Sequence, residues 1–194
     1  MDRIEKEFLD YLKFDLNYSD NTVKAYKQDI DCFMVFLAKE DLKLDEVDRM
    51  AIRNFMEERL QTYNSRGNKE TPRSLKRRIC ALKKYYKYMV KKGIVEDNPF
   101  LSTSSIRVHN KLPEVLYDKQ INKLLDENSK RTDSLKDRDQ ALLELMYSSG
   151  LRCSEVINVK LLDIEFSNCT IRVFGKGKKE RFVPFSENAK QAII

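Results

Sequence analysis

The strongest constraint on the fold is a change of hydrophobic period partway along the chain. Up to about Gly93 the apolar residues recur every three or four positions, as on a helix with one buried face. Beyond about Val159 they alternate, as on a strand. The spacing predicts four helices first. Ile4, Phe8, Tyr11 and Leu12 mark one, and about Asp20 or Asn21 to Lys39 a second. A third covers about Asp48 to Tyr63, and a polar loop, Asn64 to Lys69, follows it. The fourth starts at Pro72, with Thr71 as N-cap, and stops near Gly93, a good residue to end a helix. Four such helices can share a small core.

The character then changes. Asn98-Pro99, the run Ser102 to Ser105 and Asn110 to Pro113 break the helical pattern, so about 94–112 is expected to link two domains, 1–93 and 113–194. Helical signals return over Asp118–Asn128 and Lys136–Ser149, with a short helix from Ser154 to about Val159. Thr170–Phe174 and Arg181–Phe185 read as the strands of a hairpin, joined by the basic turn Gly175-Lys176-Gly177-Lys178-Lys179-Glu180. A lone hairpin is marginal, so more sheet or a helix must pack on it. Ala189 opens a further helix.

Charge is distributed unevenly. Between Arg66 and Lys92 lie eleven Lys and Arg and one acid, Glu70, which makes that segment +10 and leaves −4 for the rest of a +6 chain. On the fourth helix, Leu75, Ile79, Leu82, Tyr86 and Met89 fall in a stripe about 80° wide. Arg73, Lys76, Arg77, Lys83, Lys84, Lys87 and Lys91 fall in another arc of about 120°. One side can pack while the other presents a row of cations, and the long anion that suits such a row is duplex DNA. The alternative is a solvated helix face, although such a face normally mixes acids among its bases.

Several chemistries are excluded or weakened. His109 is the only histidine, so a histidine metal site or histidine-driven triad is not expected. Cys32, Cys80, Cys153 and Cys169 are scattered among apolar residues without a CxxC pair, as in a reduced, cytoplasmic protein. No apolar run approaches the length of a membrane span, and the start, MDRIEKEFLDYL, does not read as a secretory signal. The glycine-lysine turn lacks GxxxxGK[ST], so a nucleotide P-loop is not expected.

Two residues have the right chemistry for a phosphodiester. Arg152 emerges from the turn Ser149-Gly150-Leu151, and its planar fork suits two phosphate oxygens. Glu155, three residues on, either fixes Arg152 or caps the short helix. Lys176, between Gly175 and Gly177, can approach a backbone closely and act as a mobile cation or proton donor. Taken singly, Arg152 can equally be a surface residue, and the turn a basic hairpin that touches nucleic acid without chemistry.

Together these residues form a recognisable pattern. Ser149–Asn158 (SGLRCSEVIN), Leu161–Ile164 and Ile171–Pro184 (IRVFGKGKKERFVP) resemble the tyrosine recombinase (phage integrase) family, closest to its bacterial XerC/XerD branch. Asn21-Thr22, Tyr26 and Phe33 fit that family's N-terminal helical DNA-clamping domain, and Asn98-Pro99 and Leu112-Pro113 the passage between domains. The resemblance implies a mainly α fold. It would comprise a four-helix, SAM-like core-binding domain and the first part of an α+β catalytic domain with a small β-hairpin. It implies that Arg152 clamps the scissile phosphate, that Lys176 acts on the leaving 5′ oxygen as general acid, and that Glu155 supports Arg152. Lys178, Lys179 and Arg181 would join the fourth helix in contacting DNA. The implied partner is a double-stranded recombination site, gripped from opposite sides by the two domains, with no metal or nucleotide cofactor. The protein is expected to be a monomer in solution, and the complete family member a tetramer on DNA.

The family's second arginine, its further histidine or tryptophan positions and its nucleophilic tyrosine have no counterpart in these 194 residues, and none of the nine tyrosines matches the nucleophile's context. The resemblance therefore implies a C-terminally shortened chain that binds DNA without recombining it. The complete protein would cut and rejoin strands through a 3′-phosphotyrosyl intermediate, as in chromosome dimer resolution. A mobile-element integrase and a non-catalytic, regulatory short recombinase are the alternatives.

Overall fold

The computed structural model describes residues 3–63, 67, 69–103, 106, 114–175 and 179–194. The chain divides into two compact units, Met1–Lys111 and Leu112–Ile194.

The first unit is helical. Helix α1 (Arg3–Asp10) runs on into a wide turn of π type over Tyr11–Asp15. Helices α2 (Asp20–Lys39), α3 (Arg49–Gln61) and α4 (Pro72–Lys91) follow. Each of these three begins at a side-chain cap. Ser19 accepts from the Thr22 amide, Asp48 from that of Ala51 and Thr71 from that of Ser74, each satisfying one of the amides a helix start leaves free. Helix α3 stops two residues before the expected Tyr63, where the Thr62 hydroxyl donates to the Glu58 carbonyl at 2.7 Å. Gly93, with φ of 69°, turns the chain out of α4. In the loop expected over Asn64 to Lys69, Tyr63 and Lys69 form a β-bridge, and 64–66 and 68 lie outside the described residues.

Aromatic rings dominate this core. Phe33 lies 5.0 Å from Phe55 and 5.6 Å from Phe100, and Phe8 lies 5.0 Å from Tyr85, measured between ring centroids. The part played by Phe100 corrects the expected linker. Phe100 is fully buried, Val95 is buried with it, and the Asn98 amide donates to the Lys83 carbonyl at 2.9 Å. Burying a phenylalanine is worth about 2–3 kcal/mol, and with Val95 and the Asn98 hydrogen bond it helps to hold the chain after Gly93 against α4. The first unit therefore continues well past Gly93, and Ile106 still packs against the same core. Residues 104–105 and 107–113, including His109, lie outside those described.

An ion-pair network also joins α2, α3 and α4. Asp29, buried on α2, accepts both terminal nitrogens of Arg77, at 2.5 and 2.8 Å, and lies 3.2 Å from Arg78. Arg78 also reaches Glu70, which pairs with Arg59 at 2.9 Å. Burial raises the Asp29 pKa, against the pull of both guanidiniums. Removing one partner from such a network would leave an uncompensated buried charge.

The second unit is α+β. Helices α5 (Asp118–Ser129) and α6 (Lys136–Ser149) precede the short α7 (Cys153–Ile157). Three antiparallel strands follow in the order β1-β2-β3: β1 (Ile164–Glu165), β2 (Thr170–Phe174) and β3 (Glu180–Pro184). Helix α8 (Glu187–Ile193) closes the unit, capped by Ser186. Strand β1 supplies the extra sheet the hairpin needs, and its two residues are too few to show a period. Strand β3 starts one residue earlier than expected. Phe185 lies beyond it and tucks into a core formed with Leu145, Leu151, Val156, Ile171, Val173 and Ala189.

Candidate functional site

Arg152 is placed by its flanks. Gly150, at φ of 63°, ends α6 in the left-handed conformation that glycine adopts without strain, and the buried Leu151 anchors the turn. Arg152 then stands as the extended N-cap of α7, with its side chain 74% exposed. Glu155, whose side chain is 7% exposed, accepts the Arg152 backbone amide at 2.9 Å and its guanidinium at 3.1 Å. Both sequence readings of Glu155 are thus realised together: it caps the helix and holds the arginine.

The same carboxylate has a second cation. Arg181, on β3, donates Nη1 to Oε1 at 3.0 Å and Nη2 to Oε2 at 2.9 Å, the bidentate fork a carboxylate prefers. With the Arg181 fork, the Arg152 amide and the Arg152 guanidinium around it, the Glu155 carboxyl is held down to a pKa of about 2 and stays ionised. Arg181, expected as a DNA contact, is therefore engaged with Glu155.

Arg152 and Glu155 open on a cleft of about 640 Å³ lined also by Asp163, Arg172, Phe174 and Gly175. Arg172 donates to Asp163 at 2.8 and 3.1 Å and lies 5.7 Å from the Phe174 ring. Neither Asp163 nor Arg172 was singled out from sequence. The available signal was strand alternation, which puts Arg172 on the face opposite Ile171 and Val173. At the mouth of the hairpin turn the Gly175 amide donates to the Lys179 carbonyl at 2.8 Å, and Lys179 is exposed. Lys176 and Lys178 lie outside the described residues.

On α4 the expected cationic arc divides in two. Lys76, Lys83 and Lys87 are exposed and form no ion pair among the described residues, and Arg73 is exposed beside them. Cations further round the helix meet the first unit itself. Arg77 is bidentate on Asp29, Lys84 donates to the Tyr18 hydroxyl and sits 4.5 Å from that ring, and Lys91 lies 5.9 Å from the Tyr11 ring. The cause is that the packed side of α4 is wider than the 80° stripe: Ala81, Tyr85 and Tyr88 are buried as well.

The four cysteines are unpaired, and Cys80 and Cys153 are exposed, contrary to the apolar surroundings their sequence neighbours imply. Among the described residues no cluster of three or more His, Cys, Asp or Glu is placed to hold a metal ion. Nor is any helix of those residues long and apolar enough to cross a membrane.

Known proteins resemble the chain along nearly its whole length. The model of the phage integrase N-terminal SAM-like domain matches residues 6–93, and that of the phage integrase family matches 114–194. The tyrosine recombinase XerC of Anoxybacillus flavithermus is 37% identical over 187 residues, which cover 96% of this chain and 60% of the relative. That of Oceanobacillus iheyensis is 38% identical over 187 residues, covering 96% and 59%. The chain thus spans about three fifths of the length of these relatives. Among solved structures, the XerH site-specific recombinase bound to palindromic difH substrate, a post-cleavage complex, superposes with a TM-score of 0.68 at 20% identity, covering 97% of this chain and 55% of that one. A lambda integrase dimer bound to a COC′ core site gives 0.72 at 15% identity, covering 97% and 51%. At such identities the likeness shows the fold. Together with the two matching domain models and the XerC relatives, it establishes that the chain belongs to the tyrosine recombinase, or phage integrase, family.

Proposed function

We propose that the chain is the DNA-gripping and phosphate-clamping part of a site-specific recombinase. The observation that carries this is Arg152, held at one end by a buried carboxylate while its guanidinium faces an open cleft. A fork fixed in this way can bind two non-bridging oxygens of one phosphodiester. It can also stabilise the extra negative charge that develops as the phosphorus is attacked, with little reorganisation. Lys176, on the glycine turn, would protonate the leaving 5′ oxygen. The exposed cations of α4, with Lys179, would add contacts to the phosphate backbone that set position more than sequence.

In the whole protein, a tyrosine would attack the phosphorus and displace the 5′ oxygen. The resulting 3′-phosphotyrosyl bond conserves the phosphoester energy, so no nucleotide or metal is required. Strand exchange at a recombination site follows, and resolution of chromosome dimers in the cytoplasm is the role we favour. Its support is the similarity to XerC proteins. By itself the 194-residue chain would bind duplex DNA as a monomer and leave it uncut.

The test takes a duplex recovered by selection of bound DNA fragments and nicked near the cleavage position to trap covalent product. The chain should retain this duplex, and form no adduct that survives denaturant, whereas the whole recombinase should form one. A denaturant-resistant adduct with the 194-residue chain would refute the inactive reading. Failure to retain any duplex at low salt would refute the DNA-binding one.

A further inference from the structure

Glu155 is shared unequally between two arginines. The Arg181 guanidinium takes both carboxylate oxygens at 2.9 and 3.0 Å, whereas the Arg152 guanidinium reaches only Oε1, at 3.1 Å. The two guanidiniums and one carboxylate together carry +1. The engaged cation is Arg181, with its side chain 40% exposed, and the one left mostly in solvent is Arg152. Nearby packing favours this arrangement. A Cβ built on Gly175 would lie 3.1 Å from Arg181 Nη1, so a larger residue there would push the guanidinium aside by a few tenths of an ångström from the position in which it reaches across to Glu155.

We propose that Arg181 is a positioning residue: by neutralising Glu155, it leaves Arg152 with an uncompensated charge and free donors for a phosphate. The proposal rests on the phosphate-clamping reading of Arg152. It replaces the expectation that Arg181 contacts DNA directly. Without Arg181, Arg152 is the one cationic partner of Glu155 left among the described residues. Arg152 is then drawn into a neutral pair with it and withdraws from the cleft. Glu155 alone therefore both holds and quenches the arginine, and Arg181 removes the quenching. A consequence follows that neither a direct DNA contact nor a purely structural role predicts. The defect left by removing Arg181 should be reversed by also removing the charge of Glu155.

The experiment treats the 194-residue chain with phenylglyoxal, which modifies accessible guanidiniums, and follows Arg152 by mass spectrometry. Arg181→Ala should slow modification of Arg152 by about threefold, the worth of an exposed ion pair. Adding Glu155→Gln should restore at least the original rate, and Arg181→Lys, which keeps the charge, should stay close to it. Thermal unfolding of each variant identifies any that has lost its fold, in which case the Arg181→Lys and double-variant rates decide. An unchanged or faster rate in folded Arg181→Ala, or no recovery in the double variant, would overturn the proposal. A separate arm adds saturating duplex DNA to the unaltered chain. If duplex leaves Arg152 as reactive as before, the clamping reading fails whatever the variants do.

Discussion

Replacing Lys76, Lys83 and Lys87 together with alanine should weaken duplex binding in a way that depends steeply on salt. Among the described residues these three α4 lysines are exposed and form neither an ion pair nor a ring contact, so each is available to a phosphate. Each phosphate neutralised by a protein cation contributes about −0.9 to the slope of log affinity against log salt concentration. Removing three contacts should flatten that slope by about 2.7. Between 50 and 200 mM salt, the unaltered chain should then lose about 40-fold more affinity than the triple variant does. Filter binding of one duplex over a salt series measures both slopes. The control is Arg77→Ala with Lys84→Ala. It removes two cations that meet Asp29 and Tyr18, so it should lower stability and move the slope by less than about one. An unchanged slope in the triple variant would show that this face does not lie on DNA. An equally large change in the control would show that the division of the arc into engaged and available cations is wrong.

Phe100→Ala should destabilise the first unit by about 3–4 kcal/mol, the usual result of emptying a buried aromatic site. Urea unfolding measures it, and a loss below about 1 kcal/mol would return the segment after Gly93 to the status of a linker. The second unit should lose stability in acid through Glu155. Its carboxyl has a folded pKa of about 2 against an ordinary 4.5, so the stabilisation is fully present above about pH 4.5 and disappears as the pH falls toward 2. Melting temperatures between pH 6 and 2 should therefore converge for the unaltered chain and Glu155→Gln, and a constant difference across that range would contradict the ion-pair account.

Most of the helical framework was legible because its signals are local. The Thr71-Pro72 start of α4 and the full extent of α2 follow from caps and apolar period, and the boundaries of α6 were read to the residue. What sequence hid was set by contacts distant along the chain. Phe100 follows Asn98-Pro99, a breaker signal, and only the three-dimensional core shows that it is buried. Strand β1 has two residues and exists because β2 pairs with it. Asp29 and Arg77 are 48 positions apart, so nothing local showed that this cation already had a partner. Arg181 likewise sits 26 residues from Glu155, and a basic residue in a basic turn reads naturally as a DNA contact. The motif around Arg152 was legible because its parts, the turn glycine, the arginine and the capping acid, lie within six residues.

The central claim, that Arg152 engages the scissile phosphate, is tested most directly by single-turnover cleavage in the whole recombinase. Duplex affinity is measured alongside, on a nicked duplex carrying the selected site. Arg152→Ala should reduce the cleavage rate by about 100-fold or more, as loss of a preorganised charge donor does, and change affinity by less than about threefold. Cleavage at the original rate, or a loss fully accounted for by weaker binding, would contradict the assignment.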